Sequence, residues 1–208
     1  MRYGAFMTFN ALADDATIAK TIEALGKRGI AAEVVANGAA AKERVLALIP
    51  KGAEVMNISS VTLETIGLDK EINESGKYDS VKNKLNKMNR ETQRSEMRKI
   101  GAAPDWAVGS VHAVTRDGQI LIASNTGSQL GAYAYAAGQV IWVVGAQKLV
   151  NTLEDAHKRV YEYVLPLENE HMMKLYNVGS NVSKLLILSK EITPNRVTMI
   201  IVKEVLGF

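Results

Sequence analysis

The sequence predicts an α/β protein, a mostly parallel sheet flanked by helices, and three observations carry that prediction. The first third alternates between helical and strand patterning, the order that builds parallel sheets. Val140-Ile141-Trp142-Val143-Val144 is apolar without alternation, as a strand covered on both faces must be. The 208 residues are 47% hydrophobic and 23% charged, enough for a full core without staples and far from a disordered composition. One domain over residues 1–208 is the expectation.

The elements follow in order. Ile18, Ile22 and Leu25 recur at helical spacing, Asp14 or Asp15 can cap that helix, and Gly29 after Lys27-Arg28 ends it. Ala31 to Ala36 reads as a short buried strand. Asn37 can cap a second helix with Ala41, Val45 and Leu48 on one face, stopped by Pro50-Lys51-Gly52, and residues 53–58 read as the next strand. Residues 69–104 change character and predict a helical arm or lid. Between Asp79 and Ile100, seven basic side chains stand against three acidic ones in one helical stretch, either a solvated face or a binding patch.

From Asp105 the pattern turns to strand. Trp106 to Val114 reads as one strand, Asp117-Gly118 as a two-residue hairpin loop, and Ile120 to Ala123 as its partner. That register sets Val114 opposite Leu121 and His112 opposite Ala123. A small-residue helix through Ala132, Ala134, Ala136 and Ala137 ends at Gly138. Val150, Leu153, His157, Val160 and Val164 mark an amphipathic helix. Leu185–Leu188 and Val197–Val202 are the last strands.

Several chemistries are excluded or lack a signature. With no cysteine there is no disulfide, thiolate nucleophile, thiolate zinc site or self-held iron–sulfur cluster. A net charge of +3 is too mild to point to nucleic acid. The most apolar stretch, Ala132–Ala146, is interrupted by Gln139 and falls short of the roughly 20 residues a spanning helix needs, so no membrane segment is expected. Met1-Arg2-Tyr3-Gly4 opens no signal peptide, and a cytoplasmic protein is the simplest reading. No phosphate-loop, dinucleotide or nucleophile-elbow pattern occurs, and no histidines stand at metal-ligand spacing, so no cofactor is expected.

Chemistry can sit where a buried strand breaks into small polar residues before a helix. This happens at Ser59-Ser60-Val61-Thr62 and at Ser124-Asn125-Thr126-Gly127-Ser128-Gln129. Strand carboxyl ends of one parallel sheet share an edge, so both loops are expected to line one cleft, with helix N-termini offering N–H groups to an anion. The alternative is that Ser59, Ser60 and Ser128 only cap helices. Ser110 and His112 share a strand face beside the second loop. His112 is a candidate acid, base or anion contact, or else a histidine satisfied by a neighbour. Lys148 follows a buried strand and can reach an anion in the cleft or point to solvent. Glu64 reads as an exposed helix residue, Arg159 with Glu168 as an internal ion pair, and Arg196 and Glu204 flank the last strand.

Residues 55–68 (Val-Met-Asn-Ile-Ser-Ser-Val-Thr-Leu-Glu-Thr-Ile-Gly-Leu) resemble the strand–Ser-x-Thr-Leu–helix block of the lactate utilisation (LUD) domain family. Residues 109–114, 124–129, 140–148, 165–168 and 194–208 look like its other signature runs. The resemblance implies a fold similar to ribose-5-phosphate isomerase, glucosamine-6-phosphate deaminase and the CoA transferases. It also implies a place beside iron–sulfur proteins in bacterial oxidation of lactate, with this cysteine-free chain as a cluster-free component or stand-alone relative. The CoA transferases use a glutamate nucleophile near a strand end, and the 124–129 loop has no glutamate. Two functions follow: an accessory component with a cleft for a small anionic metabolite, or an isomerase- or transferase-like enzyme on a phosphorylated or CoA-linked small molecule. Homo-oligomers remain open under both.

Overall fold

The structure is a computed structural model, and it describes residues 9–208. The reading of Met1–Gly4 therefore lies outside the described residues. Helix α1 (Asp15–Lys27) starts where the Asp14 carboxylate accepts from the Thr17 N–H, and buries Ile18 and Leu25. It ends at Gly29, whose φ of 77° is one that residues with a Cβ rarely adopt. Strand β1 (Ala31–Val35), helix α2 (Gly38–Leu48, capped by Asn37) and strand β2 (Glu54–Asn57) follow in the expected order, but β1 is not the buried strand expected: it lies at the edge of its sheet with no residue fully buried.

After β2 come two short helices, α3 (Val61–Thr65) and α4 (Leu68–Glu74), and then a two-residue strand β3 (Asp79–Ser80). The basic stretch is not one helix. Ser80 caps a short α5 (Val81–Asn86), a turn interrupts at Asn89, and α6 (Arg94–Ala102) resumes with no buried residue. The Asn89 side chain accepts from the Glu91 and Thr92 N–H groups, a local alternative to helical bonding.

The expected strand over Trp106–Val114 is two strands in two sheets. Strand β4 (Trp106–Gly109) lies in a parallel six-stranded sheet, and β5 (Ala113–Thr115) lies in a second sheet. Between them, residues 110–112 carry the chain across. Strands β6 (Ile120–Ser124), β7 (Gln139–Gly145), β8 (Leu149–Val150), β9 (Lys184–Leu188) and β10 (Val197–Val202) complete the sheets. The parallel sheet runs β1-β10-β7-β4-β2-β3 and the smaller mixed sheet β8-β5-β6-β9. A mostly parallel sheet flanked by helices is thus the architecture, as the sequence predicts. A second crossing occurs after β7, where the turn Ala146–Lys148 leads directly into β8.

The hairpin joining β5 and β6 has a three-residue loop, not two. The Thr115 N–H donates to the Gln119 carbonyl, and Gly118 closes the loop at φ 87°. Thr115 Oγ1 also donates to the Asp117 carboxylate, which draws Asp117 back into the turn. The register shifts by one: Ala113 faces Leu121 and Val114 faces Ile120.

Alternation divides the core between the two sheet faces. Val140, Trp142 and Val144 of β7 pack with α1 and the small sheet, while Ile141 and Val143 pack with α2, α3 and α4. A third cluster under the small sheet joins Ala113, Leu121 and Ala123 to Ala156 and Val160 of the long C-terminal helix. That helix runs as α7 (Leu153–Lys158), a π-helical segment Arg159–Val164, and α8 (Leu165–Tyr176).

Candidate functional site

Both chain crossings open into one cavity of about 360 Å³. The first delivers Ser110 and His112, the second delivers Lys148, the end of β2 delivers Ser59, Ser60 and Thr62, and the end of β6 delivers Ser124, Asn125, Thr126, Ser128 and Gln129. Of the residues that the sequence singles out as ligand-binding, only Gly127 does not line it. Gly127 shapes the loop instead: its φ is +84°, and a Cβ there would stand 2.6 Å from Lys184 Cδ.

The two loops meet for a different reason than the shared edge of one parallel sheet. β2 belongs to the six-stranded sheet and β6 to the small one. The crossings fold the second sheet over the strand ends of the first. Helix dipoles add little at the cavity. The helix after Ser60 is five residues long, and Ser60 makes no side-chain capping bond. The second loop leads into a five-residue π-helical turn, Ala132–Ala136.

Lys148 does not reach solvent. It is 2% exposed, and its Nζ lies 3.0 Å from Thr62 Oγ1 and 3.1 Å from Ser110 Oγ. Thr62 Oγ1 donates to the Leu206 carbonyl, so it accepts from the lysine. Lys148 forms no ion pair with any described carboxylate. Burial, with the Arg159 guanidinium adding repulsion, holds its pKa well below the ordinary lysine value.

His112 reaches the cavity because it lies in the crossing, where strand alternation no longer decides which way a side chain points. Its Nδ1 accepts from the Ala123 N–H at 3.1 Å, which leaves the ring proton on Nε2. Burial, then the positive charges of Lys148 and Arg159, push its pKa down to about 3, so the ring is a neutral donor at physiological pH.

Three lining or supporting groups have no clear sequence signal. Arg159 is fully buried; it donates to the His112 carbonyl and packs over the Tyr163 ring at 5.3 Å. It does not pair with Glu168. The Glu168 carboxyl lines the cavity separately, with burial raising its pKa against the opposing pull of His171. Tyr133 is 1% exposed and lines the cavity, and its hydroxyl has no hydrogen-bond partner among the described residues. The hint in the sequence is two tyrosines among alanines; Tyr135, two residues on, is 88% exposed. Arg196 likewise pairs with Glu191, whereas the Glu204 carboxylate accepts from the Gly38 N–H. Glu64 is exposed, as expected. No cluster of three or more histidines and carboxylates fit to hold a metal occurs among the described residues.

The LUD domain family model matches residues 18–202, nearly the whole chain and every element around the cavity. The chain belongs to the LUD domain family. This LUD domain is similar in fold to the crystal structure of a DUF162 family protein from Deinococcus radiodurans, with a TM-score of 0.58 and 12% identity over 92% of this chain and 99% of that one. No curated protein matches it. The family name ties the LUD domain to lactate utilisation, and at 12% identity the structural likeness speaks for the fold alone. No helix among the described residues is long and apolar enough to cross a membrane.

Proposed function

We propose that the cavity binds a small anionic metabolite, a carboxylate of the kind lactate oxidation handles. The chain then serves as a cluster-free component of that oxidation, in the cytoplasm, beside iron–sulfur partner proteins. The observation that carries this reading is Lys148, a buried amine held by two neutral hydroxyls and by no carboxylate. A lysine that served packing alone would be buried at a large desolvation cost with nothing to offset it. A ligand carboxylate supplies the missing charge, and the hydroxyls of Ser59, Ser60 and Ser128 supply further hydrogen bonds around it. Family membership supports the link to lactate, and the absence of cysteine supports a component that leaves electron transfer to others.

Isothermal titration calorimetry of the purified chain with L-lactate, pyruvate and inorganic phosphate tests the binding half. A carboxylate is expected to bind, and Lys148→Met to abolish that binding while the protein stays folded. At about 100 times its Kd the ligand should add about 2.7 kcal/mol to stability. Carboxylate binding that is equal in the parent and in Lys148→Met would overturn the reading. Binding of phosphate alone would move the site to phosphorylated metabolites. The partner half is tested by affinity capture from cells grown on lactate, read by the iron content of what is retained. Retained chain without iron would remove the accessory role.

A further inference from the structure

Lys148 has more than one property of a reactive amine. Its side chain comes from the tight turn that joins the two sheets, so its backbone is fixed by β7 on one side and β8 on the other. Thr62 Oγ1 spends its own proton on the Leu206 carbonyl and must accept one N–H from Nζ. Ser110 Oγ has only a long 3.5 Å approach to the Val111 carbonyl and takes the second. In its neutral form the amine has two hydrogens; these bonds use both and leave the lone pair for the cavity that Lys148 lines.

The surroundings fit that accounting. Gly109 has no side chain, and a Cβ there would stand 1.8 Å from the Tyr133 hydroxyl. The phenol therefore sits against the residue before Ser110, buried, without a partner among the described residues. His112 holds its proton on Nε2 and lines the same cavity, and Glu168 lines it as the carboxyl. One lysine amine, two neutral donors and one carboxyl thus line a space of about 360 Å³.

We infer that Lys148 is a nucleophile that captures a small 2-oxo acid as an imine. This rests on the reading that the cavity takes a small carboxylate, and it names the reacting carbonyl beside that carboxylate. The Nζ lone pair forms a bond to the ketone carbon, and the carbonyl π pair moves to oxygen. The oxygen gains a proton and the nitrogen loses one, giving a carbinolamine. The carbon–oxygen bond then breaks with proton delivery to the departing oxygen, the nitrogen lone pair closes the C=N bond, and the nitrogen returns its remaining proton to the carboxylate that gave one up. One amine and one ketone become one imine and one water, with no oxidant or reductant. His112 Nε2–H and the Tyr133 hydroxyl are the donors to the developing oxyanion, and the Glu168 carboxyl is the acid for water loss. The low pKa of Lys148 agrees with this role, because only the neutral amine attacks. A 2-hydroxy acid has no carbonyl and binds without reacting.

Reductive trapping tests it. The full chain is incubated with pyruvate at pH 7, treated with sodium borohydride, and read by intact mass and peptide mapping. The expected result is a single adduct, equal in mass to pyruvic acid less one oxygen, on Lys148. Its labelling should exceed that of any other lysine by about tenfold or more, since each unit of lowered pKa raises the neutral fraction about tenfold. L-lactate should give none. Mapping on the parent chain decides the site even if Lys148→Met does not fold. Calorimetric pyruvate binding without an adduct would overturn the imine and leave the binding reading intact. Adducts spread over surface lysines would overturn it equally. Neither binding nor adduct would remove both.

Discussion

Among the described residues three cations are buried in this fold; Arg159 is held by the His112 carbonyl and the Tyr163 ring, and the other two, at opposite ends, are treated differently. Arg196, just before β10, is closed by its own chain: Glu191 pairs with it at 2.7 Å, and the carbonyls of Ala137 and Tyr133 accept two more of its N–H groups. Although burial opposes ionisation there, hydrogen bonds from Thr193 and Arg196 hold the Glu191 carboxyl below its usual range. Lys148, after β7, has two hydroxyls and no anion. Arg196 comes with its counter-ion; Lys148 leaves that position to a ligand. The first satisfies the cost of burial internally, and the second does so only when the cavity is filled.

Substitutions sharpen that contrast. Arg196→Met strands the Glu191 carboxylate in a pocket where both side chains are less than a tenth exposed, and should cost about 3–5 kcal/mol in urea unfolding. Arg196→Met with Glu191→Met should recover much of that loss. Lys148→Met removes an uncompensated group, so its stability should lie within about 1 kcal/mol of the parent or above it. If the lysine change costs as much as the arginine change, Lys148 is a structural cation and the contrast fails.

His112 gives a pH-dependent effect of intermediate size. Its folded pKa, about 3, lies below the ordinary value of 6.5. As pH falls below 6.5, the unfolded chain takes a proton that the folded ring refuses, so stability is lost toward pH 3. The slope from this group is at most about 1.4 kcal/mol per pH unit. Carboxylates titrate in the same range, so the measure is the difference between the parent and His112→Gln in paired unfolding curves. Curves that run parallel from pH 7 to pH 4 would show that His112 titrates freely.

The smallest effect belongs to the loop. Ser124 Oγ accepts from the Gly127 N–H and donates to Gln129 Oε1, both at 2.8 Å. Ser124→Ala should cost about 1 kcal/mol and weaken carboxylate binding, seen in the same calorimetry. Lost stability with unchanged affinity would make the loop a wall and not a contact.

Much of the architecture is readable in the sequence because it is local. The Asp14 and Asn37 caps, the Gly29 stop and the unbroken apolar run of β7 each state their structure within a few residues. The break inside 106–114 is not local. Val108 and Val114 are equally buried, each in a different sheet, and nothing in their neighbours marks the change. Asp117-Gly118 announces a turn correctly, but the side chain of Thr115 decides its length. Lys148, Ser110 and His112 are legible as polar residues at the ends of buried runs. Tyr133, Arg159 and Glu168 are not, because only the packing of the C-terminal helix and the 132–136 turn against the crossings brings them there.

The most direct test of the central contrast is the titration of Lys148 itself, followed by the 13Cε resonance of the labelled lysine with Lys148→Met for assignment. In the free protein its midpoint should lie well below 10.5, and saturating L-lactate should move it upward as the carboxylate completes the pair. A midpoint near 10.5 that lactate leaves in place would contradict the account.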